Sequence, residues 1–152
     1  MVRVNSIFPC DGSPESKLMS TILVIDDTAF WRDLVSDALR RKGHTVVTAE
    51  DGFGGLEVLQ KDGADLVIVD MEMPKMEGLE FLERVHQMPQ WKDLPIIMLS
   101  GDMHIEQVVR ARQLGATDYL IKTRFSLSDL LERVERRLAA QQAVSVIGGK
   151  PA

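Results

Sequence analysis

The sequence predicts an α/β fold, a five-stranded parallel sheet wound on both faces by five helices. Three observations predict it. Short apolar runs alternate five times with segments of helical period. Four runs stop abruptly at polar residues: Ile22-Leu23-Val24-Ile25 at Asp26-Asp27, Leu66-Val67-Ile68-Val69 at Asp70, Ile96-Ile97-Met98-Leu99 at Ser100, and Tyr119-Leu120-Ile121 at Lys122. An unbroken aliphatic run reads as a strand buried on both faces, as in parallel sheets. Third, the 152 residues suffice for one domain with a sizeable core.

Strands are expected near 21–25, 45–49, 65–69, 95–99 and 118–121, and helices near 29–42, 53–61, 79–88, 104–114 and 127–140. Phe30, Leu34, Ala38 and Leu39 form the apolar stripe of the first helix. Lys42-Gly43 ends it, and Leu114-Gly115 ends the fourth, because glycine readily takes the left-handed position past a helix. The second helix has the weakest signal, since Gly52, Gly54 and Gly55 lie in its first turn. Leu127, Leu130, Leu131, Val134 and Leu138 stripe the last helix. Ser126 and Asp129 fit a capping box at its start, with Asp in place of the usual Glu. The run Glu132 to Arg137 reads as a solvated helix face. Residues 1–20, with Pro9, Gly12, Ser13, Pro14 and Ser16, read as an irregular extension. The folded unit is expected over 21–140 and a flexible C-terminal tail over 141–152.

Composition removes several functions. A net charge of −5 disfavours non-specific binding to nucleic acid or anionic lipid. No apolar run approaches the roughly 20 residues that span a bilayer, and no signal-peptide pattern opens the chain. The single cysteine, Cys10, cannot form an internal disulfide, so a cytoplasmic setting is the default expectation.

Five βα units fit the flavodoxin-like strand order 2-1-3-4-5, whose switch point lies between the first and third strands. Those strands end in Asp26-Asp27 and Asp70, so pattern and topology point to one crevice. Carboxylates about 4 Å apart repel by roughly 4 kcal/mol at an effective dielectric near 20. A hard divalent cation such as Mg²⁺ relieves that repulsion. Helix capping accounts for one aspartate, but not for three at a switch point. Lys122 can pair with a phosphate oxygen, Ser100 can donate to another, and Gly101 leaves room beside the backbone for a bulky anion. Each is unremarkable singly: a solvated strand end, a helix cap, a turn. Their shared edge gives them weight.

In order and spacing, these motifs resemble the receiver domain of bacterial two-component response regulators. The resemblance spans about residues 20–140. It rests on Asp26-Asp27, on Asp70-Met71-Glu72-Met73-Pro74-Lys75-Met76-Glu77-Gly78, on Ser100-Gly101, and on Gly115 through Lys122. It implies that Asp70 is the phosphoacceptor, fed by a histidine kinase or a histidine phosphotransfer protein. It implies Mg²⁺ (or Mn²⁺) held by Asp27, Asp70 and the backbone carbonyl of Glu72, with Asp26 acting through water. Lys122 and Ser100 then bind phosphoryl oxygens. Ser100 and Tyr119 form a switch pair that alters a face built from the fourth helix, fifth strand and fifth helix. The implied function is a single-domain regulator whose output is protein binding, as a monomer or a phosphorylation-dependent dimer. Its only chemistry is phosphoryl acceptance and slow self-hydrolysis, so it is not an enzyme in the usual sense.

One departure stands out. Thr123 follows Lys122 where the family usually has a proline in a cis bond, so the loop through Arg124 and Phe125 is expected to take another path. Glu72 and Asp102 add negative charge beside the site and are expected to bear on the lifetime of the acyl phosphate. Met71, Met73, Met76, Met98 and Met103 read as adaptable core and rim packing. Trp31, one turn into the first helix, is expected beside the acidic cluster. Two other classes fit less well. A phosphatase of the haloacid dehalogenase type carries its Asp-x-Asp on the first strand, whereas here that strand ends in a doublet. A flavin module needs a phosphate loop where Asp26-Asp27 would repel phosphate.

Overall fold

The structure, a computed structural model, describes residues 20–148, with side-chain surroundings through residue 141. Most of the predicted N-terminal extension, including Cys10, and the final four residues lie outside the described part. Five strands, β1 (Thr21–Ile25), β2 (Thr45–Ala49), β3 (Leu66–Asp70), β4 (Ile96–Ser100) and β5 (Asp118–Ile121), pair in parallel in the order β2-β1-β3-β4-β5. This is the flavodoxin-like order. Five helices alternate with them: α1 (Ala29–Arg41), α2 (Gly52–Lys61), α3 (Gly78–Gln87), α4 (Ile105–Gln113) and α5 (Leu127–Gly148). A short 3₁₀ turn, Pro89–Trp91, joins α3 to β4.

Side-chain alternation along each strand builds two cores. Leu23, Ile25, Val67, Val69, Ile96 and Met98 pack with Leu59 of α2, Phe81, Leu82 and Val85 of α3, and Ala111 of α4. Ile22, Val24, Leu66, Ile68, Ile97 and Leu99 pack with Val35 and Leu39 of α1 and Leu130, Val134 and Leu138 of α5. Both faces of the central strands are therefore apolar, and polar residues can enter only at their ends.

Several local expectations hold. Gly43 and Gly115 adopt φ of 96° and 101°, the left-handed positions that end α1 and α4. The Asp129 amide donates to Ser126 Oγ at 3.2 Å, and the Ser126 amide donates to Asp129 Oδ2 at 3.3 Å, completing the capping box. Packing explains two of the three glycines of α2, Gly52 against Met76 and Gly55 against Ile25. The Gly54 amide donates to the Asp51 cap at 2.8 Å. A Cβ on Gly55 would stand 2.3 Å from Ile25 Cδ1 and 3.0 Å from a ring carbon of Phe81. Glycine there lets α2 lie directly on the strand that carries Asp26.

Other expectations are corrected. α1 buries Val35, Ser36 and Leu39, whereas Phe30 is 65% exposed, so its buried face is rotated from the predicted stripe. α5 runs to Gly148, through most of the predicted tail, because Ala139-Ala140-Gln141-Gln142-Ala143 are good helix formers and no glycine or proline intervenes. The solvated face on α5 is partly a clamp. Arg133 and Arg137 each reach the buried Asp118 carboxylate at 2.8 Å, and Glu135 holds His44 at 2.8 Å. The Asp118 partner holds the Arg137 guanidinium above its ordinary range. Met71, Met73, Met76 and Met98 are buried, whereas Met103 is exposed.

Gly55→Ala should destabilise the chain by about 1–3 kcal/mol despite its better helix propensity, because the added methyl overpacks against Ile25. Gly101→Ala, which meets nothing within 4 Å, should stay close to wild type. Urea denaturation of both variants checks the contrast.

Candidate functional site

Register sets the site. Ile25 pairs with Val69, so Asp26 and Asp70 emerge side by side where β1 and β3 end. Ser100 pairs with Ile121, which places Lys122 beside Ser100 and Gly101. The Lys122 amide donates to the Ser100 carbonyl at 2.7 Å, extending that ladder by one residue. Asp26 and Asp70 are almost fully buried, whereas Asp27 is exposed.

Lys122 Nζ lies 2.8 Å from Asp26 Oδ2 and 3.2 Å from Asp70 Oδ1. Beyond that ammonium, no donor reaches either oxygen. Asp26 Oδ1 accepts from the Thr28 amide at 2.9 Å, and Arg32 donates to the Asp26 carbonyl at 2.7 Å. One ammonium thus faces two buried carboxylates, with Asp27 alongside. Burial, followed by repulsion from Asp26, pushes the Asp70 carboxyl up to about 7, although Lys122 pulls the other way. The ammonium itself is held above its ordinary range by Asp26 and Asp70, against the opposing effect of burial.

A carboxylate oxygen from each of Asp26, Asp27 and Asp70 lies within 4.8 Å of the other two. Three hard oxygen donors at one mouth, two of them short of hydrogen-bond donors, fit a hard divalent cation such as Mg²⁺. The predicted trio is therefore assembled, with Lys122 in contact with two of its members.

Ser100 is fully buried at the end of β4. Its single hydroxyl hydrogen faces two acceptors, Glu72 Oε2 at 2.9 Å and the Asp102 carbonyl at 2.7 Å. The Asp102 amide donates back to Ser100 Oγ at 3.3 Å. Tyr119 packs against the core, and its shielded hydroxyl lies near Ser100 without a well-formed hydrogen bond. Burial raises its phenol above the ordinary range. Beyond Lys122, the chain turns through an Arg124 amide to Ile121 carbonyl bond of 2.9 Å, with no cis peptide among the described residues.

Trp31 stands where expected. Lys122 Nζ is 5.3 Å from its ring centroid, within cation–π range. Phe30 meets the ring edge-on at 5.5 Å, and Phe125 lies 6.4 Å away. Sequence reasoning missed the parts of Phe30 and Phe125 in this aromatic wall, and also missed Arg32. The spacing of Arg32, six residues after Asp26 and one helical turn from Thr28, was the available signal.

The fold and site define a doubly wound α/β protein with a buried acidic crevice suited to a cation and bordered by a lysine. Residues 22–135 match the family model described as the response regulator receiver domain, and the chain belongs to that family. It is 32% identical over 120 residues to chemotaxis protein CheY-3 of Vibrio cholerae, covering 77% of this chain and 92% of that protein. Chemotaxis protein CheY of Pseudomonas aeruginosa is 31% identical over 116 residues, covering 76% and 93%. Among solved structures, Vibrio cholerae CheY4 superposes with a TM-score of 0.73 at 36% identity, covering 78% of this chain and 98% of that one. A CheY-like receiver domain protein from Methanospirillum hungatei gives 0.77 at 29% identity, covering 82% and 98%.

The sign of the Asp70 perturbation yields a stability test. A carboxyl at about 7 in the fold and 3.8 in the unfolded chain binds more protons when folded between those values. Wild type therefore loses stability as pH rises through that window. In metal-free buffer, Asp70→Asn should match wild type near the lower end and exceed it at pH 7. The gain there, discounted for solvent screening, is about 1–2 kcal/mol, or a few degrees in melting temperature. Thermal melts at stepped pH in the presence of a chelator read the gap.

Proposed function

We propose that the chain is a phosphorylation-dependent signalling switch that accepts a phosphoryl group on Asp70 in a Mg²⁺-dependent reaction. The observation that carries this reading is the Asp26–Asp70–Lys122 crevice: two buried carboxylates and one ammonium at the switch point of the sheet. An Asp70 carboxylate oxygen attacks phosphorus, forming an O–P bond. The P–N bond to the donor imidazole breaks, and its electron pair returns to the imidazole ring. Lys122 already borders Asp70, and the proposal assigns its charge to a phosphoryl oxygen. Ser100 takes a second one.

Asp27, Asp70 and the Glu72 carbonyl are the proposed direct metal ligands, with Asp26 acting through water. Bound there, Mg²⁺ supplies the positive charge that offsets the approach of one anion to another. The donor is a histidine kinase or histidine phosphotransfer protein, and the output is binding of a further protein. Ser100 and Tyr119 are the proposed switch pair, and the face formed by α4, β5 and α5 is the proposed readout. Two features support that face: Met103, Ile105 and Val109 are exposed, and Ala111 is the only fully buried residue of α4. The proposed working unit is residues 21–140. The proposed setting is the cytoplasm. No helix among the described residues is long and apolar enough to cross a membrane.

Incubation with Mg²⁺ and acetyl phosphate should add one phosphoryl group by intact mass, and Asp70→Asn should abolish it. Absence of any adduct in wild type at every Mg²⁺ concentration would sink the proposal. Separately, Mg²⁺ should change Trp31 fluorescence in a Trp91→Phe background, because the ring borders the ammonium that pairs with the metal-binding carboxylates. A flat titration would count against metal binding at this crevice.

A further inference from the structure

The Glu72 side chain has a place that the proposed chemistry does not use. Its Oε2 faces the Ser100 hydroxyl at 2.9 Å, and its Oε1 accepts the Gly101 amide at 3.3 Å. Both carboxylate oxygens are thus spent on the first two polar groups at the end of β4. A hydroxyl and an adjacent backbone N–H outside any ladder are the donors an anionic oxygen recruits. We propose that Glu72 is a resident competitor, a carboxylate that occupies the phosphoryl-oxygen donors of Ser100 and Gly101 until a phosphoryl group on Asp70 displaces it.

This inference rests on Asp70 being the phosphoacceptor, and it adds regulation of that same site. The contact spans two loops. Glu72 lies just after β3, whereas Ser100 and Gly101 lead into α4. While Glu72 holds them, the loop before α4 is tied to the loop after the acceptor. The Ser100 hydrogen is shared with the Asp102 carbonyl, and Glu72 itself is largely exposed. The tie therefore joins a buried hydroxyl to a carboxylate that is exposed to solvent, and an arriving phosphoryl oxygen can replace that carboxylate. Its release frees the loop at the moment when Ser100 changes partner. Charge alone also predicts that removing Glu72 helps an anion to bind, so a test must separate contact from field.

The full chain, saturated with Mg²⁺, is titrated with beryllofluoride, a tetrahedral phosphoryl analogue, and bound fluorine is followed by NMR. Glu72→Ala removes both contact and charge. Glu72→Asp keeps the charge on a side chain one methylene too short to hold both donors. Glu72 is exposed, so neither change removes core packing. Half-saturation should fall about fivefold in both variants, equivalent to about 1 kcal/mol for a lost competing hydrogen bond. If Glu72→Asp behaves as wild type while Glu72→Ala tightens, the effect is only the field and the proposal fails. Equal affinity in all three chains, or weaker binding in Glu72→Ala, also overturns it. No bound fluorine in any chain, wild type included, removes the phosphoacceptor reading beneath it.

Discussion

The Lys122 ammonium is the partner that makes the buried pair Asp26 and Asp70 tolerable, and the rest of the structure is arranged around that contact. Two carboxylates held by one cation leave a net negative charge in a poorly solvated crevice. Removing Lys122 would leave two uncompensated buried carboxylates, the costly case for buried ion pairs, whereas removing one carboxylate leaves a matched pair. The same imbalance explains why Asp70 is pushed towards its neutral form while Lys122 is held in its charged form. An arrangement that is strained alone and relieved by added positive charge is ready to take a cation. Its imperfect internal pairing is thus a property of the site.

Such a crevice demands a rigid frame, and the frame comes from the strands. Three residues of the site are anchored to aliphatic runs that are buried on both faces. Register then fixes the neighbours: Ile25 beside Val69 and Ser100 beside Ile121. Close approach of α2 at Gly55 lets that helix press on Ile25, one residue before Asp26. Arg32 reaches back from α1 to the Asp26 carbonyl. The main chain that carries the most constrained carboxylate is therefore held from the sheet, from α1 and, through Ile25, from α2.

Much of this was legible in the sequence because the signals are local and repeated. An aliphatic run that stops at Asp, Ser or Lys reports both a strand and the residue at its end, which is how Asp26, Asp70, Ser100 and Lys122 could be grouped before any coordinates. Gly43, Gly115 and the Ser126–Asp129 box act within a few residues of themselves, so they too were readable. What escaped depends on contacts distant in sequence. The exposed position of Phe30 follows from how α1 rolls on the sheet, and its own spacing suited the opposite face. Arg133 and Arg137 form ordinary surface spacing until Asp118, at the start of β5, is brought beneath them. The full length of α5 escaped because its apolar stripe ends at Leu138, while the helix continues to Gly148 on a run of good helix formers.

Between the acidic crevice and the outer surface, the weakest element in packing terms is α4. It buries Ala111 fully, while α3 buries Phe81, Leu82 and Val85. Little apolar area holds α4 down, so moving it costs less than moving its neighbours. Yet both of its approaches are chemically tied to the site: Ser100 and Gly101 precede it, and Tyr119 lies beneath it on β5. In the proposed switch, a change in the partners of Ser100 would therefore act first on the segment that the core restrains least. Lys122, by contrast, sits at the start of a turn closed back onto Ile121 and faces an aromatic wall of Trp31 and Phe125. The fold thus separates a well-packed side, which holds the charges, from a side where α4 is held by little apolar area. The proposed function draws on that asymmetry, with the chemistry on the well-packed side and the change of surface on the side of α4.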